Sequence, residues 1–112
     1  MATKNPQEPY NRITVDEAKE LLSDGAQIID VREMHEYQSG HIPGAPLIPV
    51  GSVFARREEL PKEGKVIFTC AVGQRSALAC EMAAAAGLAP ERLFNLEGGT
   101  EAWIKAGEPV DK

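Results

Sequence analysis

The sequence of 112 residues is poor in metal-binding and disulfide-forming side chains, with only two cysteines and two histidines. Cys70 and Cys80 lie ten residues apart and lack the paired CxxC spacing of structural zinc sites, so we expect neither a metal ion nor a cofactor. A disulfide between them is disfavoured, because more than one helical turn separates Cys80 from the predicted loop at Cys70, whereas a disulfide needs Cα atoms within about 7 Å.

Long apolar runs and clusters of basic residues are also missing. No segment is apolar over enough residues to cross a bilayer, so we expect no membrane span. The net charge of −5 and a single Arg56-Arg57 pair, followed at once by two glutamates, disfavour a nucleic-acid partner. Residues 1–10 are polar and lack the apolar run of a secretory signal. We therefore predict a flexible arm at 1–10, one domain at 11–112 and a cytoplasmic location.

Strands and helices alternate along the chain. Thr14-Val15-Asp16-Glu17 fits a capping box, and the apolar spacing behind it predicts a first helix over Val15–Ser23. Further helices are predicted at 34–38, from Ser52 to Pro61, at about 76–86, and from Thr100, as the cap, through Ala106. Short apolar runs predict strands at 28–31, 47–50, 65–69 and 93–96, with Pro49 placing the second at a sheet edge. The alternation predicts an α/β sandwich around a parallel sheet.

Cys70 directly follows the predicted strand at 65–69, at the edge where parallel sheets bind ligands. The segment Cys70-Ala71-Val72-Gly73-Gln74-Arg75-Ser76 joins this strand to a helix, and Gly73 allows its backbone to curl into a nest of amide groups. Those amides and the helix N-terminus would lower the thiol pKa, and Arg75 adds a charge that can hold an anion. We predict that Cys70 is a nucleophile activated by the positive electrostatic field of the loop amides, the helix N-terminus and Arg75. The alternative is that Cys70 is a small buried side chain without chemistry.

Five other residues are interpreted as structural. Cys80 lies in an apolar helix with no cation near it in sequence, so we expect a core side chain. Asp30 and Arg32 stand at the end of the first apolar strand, where an ion pair that braces loops is favoured over a substrate site. His41 lies in a turn rich in glycine and proline, and Trp103 on the last helix is favoured as a packing anchor.

The sequence resembles the rhodanese family of sulfurtransferases from Ile13 to Gly107. The resemblance rests on four ordered segments: Asp30-Val31-Arg32-Glu33 with Tyr37, Gly40-His41-Ile42-Pro43-Gly44-Ala45, Cys70-x-x-Gly73-x-Arg75-Ser76, and Leu96-x-Gly98-Gly99 followed by Trp103. It implies a rhodanese-like α/β sandwich of three layers around a five-stranded parallel sheet. It also implies a short first strand at Arg12-Ile13-Thr14.

By this resemblance, Cys70 takes sulfane sulfur from thiosulfate or a related donor, holds it as a persulfide and passes it to cyanide or a thiol. The anionic substrate would bind a cradle without a metal, formed by the backbone of Ala71, Val72, Gly73, Gln74 and Ser76 and by Arg75. Phosphatase relatives have five residues between cysteine and arginine, whereas four stand here, which favours sulfur transfer over phosphate-ester hydrolysis.

One position departs from the family pattern. Many single-domain members carry an arginine directly after the cysteine, where this chain has Ala71. With one cation fewer, a less charged donor such as a polysulfide or a protein persulfide stays an alternative to thiosulfate. Three function classes are therefore weighed: an enzyme that turns over thiosulfate, a persulfide relay between proteins, and a binding module without catalysis. The intact cysteine loop favours the first two, since such modules commonly lack the cysteine.

Overall fold

The computed structural model describes residues 3–112 of the chain. Its strands are β1 (Thr3–Lys4), β2 (Asn11–Ile13), β3 (Gln27–Asp30), β4 (Val66–Thr69) and β5 (Leu93–Leu96). Its helices are α1 (Val15–Ser23), α2 (Met34–Gln38), α3 (Gln74–Ala85) and α4 (Gly99–Lys105). Single turns of 3₁₀-helix lie at Val50–Ser52, Arg57–Glu59 and Pro90–Arg92. Across this described part of the chain, every helix is too short or too polar to cross a membrane.

The five strands form one sheet in the order β1-β2-β5-β4-β3. Four of them, β2 to β5, pair in parallel, whereas β1 pairs antiparallel with β2. The prediction of a five-stranded parallel sheet is therefore wrong for one strand. Only residues 5–10 connect β1 to β2, and a parallel pairing needs a crossover of a dozen or more residues. The short strand that the family resemblance implied at 12–14 is confirmed, one residue earlier, as β2.

The segment between β3 and β4 differs from its prediction. Residues 47–50 do not form a strand: Leu47 makes one isolated bridge to Asp30, and the amides of Ile48 and Val50 reach the carbonyls of Asp30 and Val31 at 2.9 and 3.0 Å. Pro49 has no N–H to extend the ladder. The helix predicted from Ser52 to Pro61 is also wrong, because this stretch contains only 3₁₀ turns and bends.

Part of the predicted flexible arm makes contacts with the domain. β1 is the edge strand of the sheet, and Tyr10 is a core residue, only 4% exposed. Residues 1 and 2 lie outside the described part of the chain. The boundary at residue 11 stays a prediction.

Helices cover both faces of the sheet and give the molecule three layers. Alternate residues of β4 point to opposite faces, so Phe68 packs in one apolar cluster and Ile67 in the other. The first cluster includes Cys80 of α3, which confirms the interpretation of that cysteine as a core side chain. The second includes Ala18 of α1 and Trp103 of α4. The predicted α/β sandwich is confirmed in this arrangement.

Candidate active site

Cys70 lies at the carboxyl end of β4, the strand between β3 and β5, and is only 1% exposed. The chain then turns within three residues into α3, with Gly73 at the N-cap. Gly73 has a φ of 107°, a left-handed conformation that residues with a Cβ rarely adopt. In this conformation its N–H points at the Cys70 sulfur, with an N–Sγ distance of 3.0 Å.

Neutral hydrogen-bond donors surround the Cys70 sulfur. The Ser76 hydroxyl lies 3.4 Å from Sγ, in addition to the amide of Gly73. Burial of the thiol acts to raise the pKa of Cys70, but the hydroxyl and amide of Ser76 and the amides of Gly73 and Val72 together outweigh it. The pKa is therefore lowered, and more of the thiolate is present at neutral pH.

The first turn of α4 holds the outer side of this loop. The amides of Thr100 and Glu101 donate to the carbonyls of Cys70 and Ala71 at 2.8 and 3.1 Å. With these carbonyls directed outward to α4, the loop amides are free to face the sulfur. The prediction of Thr100 as the helix cap is wrong, because Gly98 occupies the N-cap and the Thr100 hydroxyl instead lies 3.1 Å from that of Thr69.

Asn95 connects the loop to β5. Its side-chain Nδ2 donates to the Gly73 carbonyl at 3.1 Å, and its Oδ1 accepts from the Ser76 hydroxyl. Ser76 thus lies between the Cys70 sulfur and Asn95, which is 6% exposed, and its single hydroxyl proton is shared between these two acceptors. Sequence reasoning missed Asn95. The available signal was a polar side chain inside the apolar run Leu93-Phe94-Asn95-Leu96.

Arg75 forms a bidentate ion pair with Glu36 of α2. Its Nη1 and Nη2 atoms lie 2.7 and 2.9 Å from the two carboxylate oxygens. The pairing lowers the pKa of Glu36 to about 2, chiefly through the hydrogen bonds from Arg75, and raises that of Arg75. Sequence reasoning also missed Glu36, because 39 residues separate the two partners.

The remaining loop residues predicted for substrate binding differ in exposure. Val72 is half exposed at 50%, and Gln74 is exposed in the first turn of α3. Ala71 is partly buried, with its carbonyl directed to α4. The structure therefore brings the backbone of the loop, more than its side chains, to the sulfur.

The other residues singled out by sequence have structural contacts, as predicted. The Asp30 carboxylate accepts from the Arg32 guanidinium, which also donates to the Gly40 carbonyl at 2.8 Å. His41 stacks on Tyr37 with ring centroids 3.8 Å apart. Trp103 is 5% exposed, and its Nε1 donates to the Pro109 carbonyl at 2.7 Å.

The fold and the site define an α/β protein with a buried cysteine thiol held in an amide-lined strand-to-helix loop. A family model described as a rhodanese-like domain matches residues 14–106. The chain therefore belongs to the rhodanese-like family, which confirms the resemblance read from the sequence.

Relatives and solved structures agree with this membership. A sulfurtransferase of Allochromatium vinosum is 32% identical over 102 residues, covering 89% of this chain and 94% of its own. The thiosulfate sulfurtransferase GlpE of Ectopseudomonas mendocina is 29% identical over 94 residues, covering 84% of each chain. The crystal structure of a rhodanese-related protein from Thermoplasma volcanium matches with a TM-score of 0.81 at 30% identity, covering 91% of this chain and 98% of that one. These matches support a sulfurtransferase role.

Proposed function

We propose that this protein is a sulfurtransferase that carries sulfane sulfur as a persulfide on Cys70. The observation that carries this proposal is the contact of the Cys70 sulfur with the Gly73 amide and the Ser76 hydroxyl. These donors, with the other loop amides, lower the thiol pKa, and the loop 70–76 contains no histidine or carboxylate that would act as a general base. Their number and direction also suit the additional negative sulfur of a persulfide.

The proposed reaction has two displacements at sulfur. In the first, the Cys70 thiolate attacks the outer sulfur of thiosulfate or a related donor, the S–S bond of the donor breaks, and sulfite leaves with the electron pair. In the second, cyanide or a thiolate attacks the terminal sulfur of the persulfide, the S–S bond to Cys70 breaks with the electron pair going to the Cys70 sulfur, and thiocyanate or a hydropersulfide is released. The Cys70 thiolate is thereby restored, and no metal ion or cofactor takes part.

The proposed substrate site is the backbone of 71–76 with the Arg75 side chain. The amides of Val72, Gly73 and Ser76 act on the charge of the sulfur, so they are the donors proposed for the persulfide. Ala71 and Gln74 contribute their backbone to the same loop. Because Cys70 is 1% exposed, only a slim end of a donor, such as a terminal sulfur, can reach it.

A persulfide relay between proteins is the second candidate. It shares the first displacement but takes its sulfur from a protein persulfide and gives it to a protein thiol. The specific observation in its favour is Val72, which is 50% exposed on the loop that follows Cys70. An apolar side chain beside the reacting sulfur is a suitable contact for a protein partner. Both candidates are consistent with the predicted cytoplasmic location, which stays a prediction.

Steady-state kinetics test the proposal. We expect thiocyanate to form from thiosulfate and cyanide, and a hydropersulfide to form when a thiol replaces cyanide. Cys70→Ser should abolish both, because an oxygen cannot hold sulfane sulfur, whereas Cys80→Ala should keep activity within about threefold because Cys80 lies in the core. Turnover by Cys70→Ser within tenfold of the parent would overturn the proposal. If the wild-type protein turns over thiosulfate slowly but accepts sulfur rapidly from a protein persulfide, the persulfide relay is the supported function.

A further inference from the structure

The charges near the Cys70 loop are paired, and carboxylates outnumber arginines. Arg75 is paired with Glu36, and the buried Arg32 is paired with Asp30. Glu33 is a third carboxylate whose charge acts on Arg75. The five side chains therefore sum to one negative charge. The cation that sequence reasoning assigned to anion binding is already neutralised by this chain itself.

Glu36 is fixed before any substrate arrives. Its Oε1 accepts from the Glu33 amide at 3.0 Å, which closes the capping box of α2, and the same oxygen accepts from Arg75. Both partners are partly shielded, with side chains 25% and 34% exposed for Glu36 and Arg75. Glu36 takes two of the five N–H groups of the guanidinium and neutralises its charge, so an incoming anion meets a cation that is already paired.

We propose that Glu36 is a specificity-determining residue, which neutralises Arg75 and so makes the Cys70 site select sulfur donors of low charge over dianions. This inference rests on the proposed sulfurtransferase function. The favoured class is a hydropersulfide, which has at most one negative charge and reaches Cys70 through a slim terminal sulfur. Thiosulfate, with two negative charges, meets neutral amide donors but no unpaired cation among the five side chains.

The variant Glu36→Gln tests this inference because it removes the charge and keeps the cap. Glutamine at the third helical position can accept from the Glu33 amide as glutamate does. We expect kcat/KM for thiosulfate to rise about tenfold, as a charge-assisted contact with Arg75 becomes available. We expect kcat/KM for the hydropersulfide of 2-mercaptoethanol to change less than about threefold.

Two controls assign the effect to Arg75. Glu20→Gln, on α1, changes the net charge of the protein by the same amount and should leave kcat/KM unchanged for both sulfur donors. In the double variant Glu36→Gln/Arg75→Ala the gain for thiosulfate should disappear. Salt gives a further readout: kcat/KM for thiosulfate should rise with ionic strength in the parent protein, because the net charge near the loop is negative, and should depend less on ionic strength in Glu36→Gln, where the five side chains sum to zero.

The outcomes separate this inference from the proposed function. If thiosulfate kcat/KM is unchanged or lower in Glu36→Gln, or falls with salt in the parent protein, the inference is overturned. Sulfur addition to Cys70, read by mass spectrometry with the hydropersulfide as donor, reports on the function alone. If no sulfur is added to the parent protein or to Glu36→Gln by either donor, the proposed function fails, and the inference with it.

Discussion

A Cβ atom on residue 99 would lie 2.5 Å from the carbonyl oxygen of Cys70, closer than two such atoms approach in proteins. Gly99 begins α4, whose next two amides donate to the carbonyls of Cys70 and Ala71. The loop and the helix therefore meet backbone to backbone. Any side chain at position 99 would separate them and release the carbonyls that the helix holds outward.

We predict that Gly99→Ala lowers the free energy of unfolding and weakens sulfur transfer. The φ of +59° disfavours alanine by about 1–2 kcal/mol, and the clash with the Cys70 loop adds about 1–3 kcal/mol. Gly107→Ala is the matched control, because its φ is +80° but no heavy atom lies within 4 Å of the added Cβ. Urea unfolding should show a loss of unfolding free energy about twice as large for Gly99→Ala as for Gly107→Ala. Equal losses would contradict the contact.

Asn95 should act on the pKa of Cys70 through Ser76 and Gly73. In Asn95→Asp the donor to the Gly73 carbonyl is lost and a negative charge is added near the sulfur, so we predict that the pKa of Cys70 rises by about one unit. The pH dependence of alkylation at Cys70 measures this shift. Asn11→Asp is the control, because its Nδ2 also donates to backbone carbonyls, of Leu93 and Pro90. If the alkylation of Cys70 had the same pH midpoint in both variants, Asn95 would have no specific effect on the pKa of Cys70.

The length of the loop should select the reaction. One glycine inserted between Gln74 and Arg75 gives the five-residue spacing of the phosphatase relatives and moves the Gly73 amide, now 3.0 Å from the sulfur, relative to the start of α3. We predict at least a tenfold loss of sulfur transfer, with the fold preserved in circular dichroism. An insertion variant with full sulfurtransferase activity would show that the spacing does not decide the chemistry.

Local patterns in the sequence predicted the elements whose signals lie within a few residues. The capping box of α1 is formed by Thr14 and Glu17 at 3.2 and 2.9 Å, and the helix has the predicted bounds Val15–Ser23. The apolar run before Cys70 is β4, buried along its whole length. In these segments, propensity and burial favour the same structure.

Contacts between distant segments were not predictable in this way. The apolar run at 47–50 has the pattern of a strand, but pairing depends on which neighbour the fold supplies, and only a single bridge to Asp30 forms. Glu36 was missed because nothing in α2 indicates that Arg75 lies beside it. Asn95 was missed for the same reason, since its partners Gly73 and Ser76 are 22 and 19 residues away in sequence.

The central claim concerns which thiol carries the sulfur. Burial raises the pKa of Cys80, whereas the donors around Cys70 lower its pKa, so at about pH 6.5 iodoacetamide should label Cys70 well ahead of Cys80. Trypsin places the two cysteines in separate peptides, residues 66–75 and 76–92, so that each can be weighed alone.

The most direct measurement is the mass of these two peptides after incubation with a sulfur donor. Thiosulfate and the hydropersulfide of 2-mercaptoethanol are added separately, and the protein is alkylated before digestion so that the added sulfur is retained. We predict a gain of about 32 Da, one sulfur atom, on the peptide with Cys70 and none on the peptide with Cys80. Sulfur on Cys80, or on neither peptide with either donor, would contradict the account and leave Cys70 as a buried side chain without chemistry.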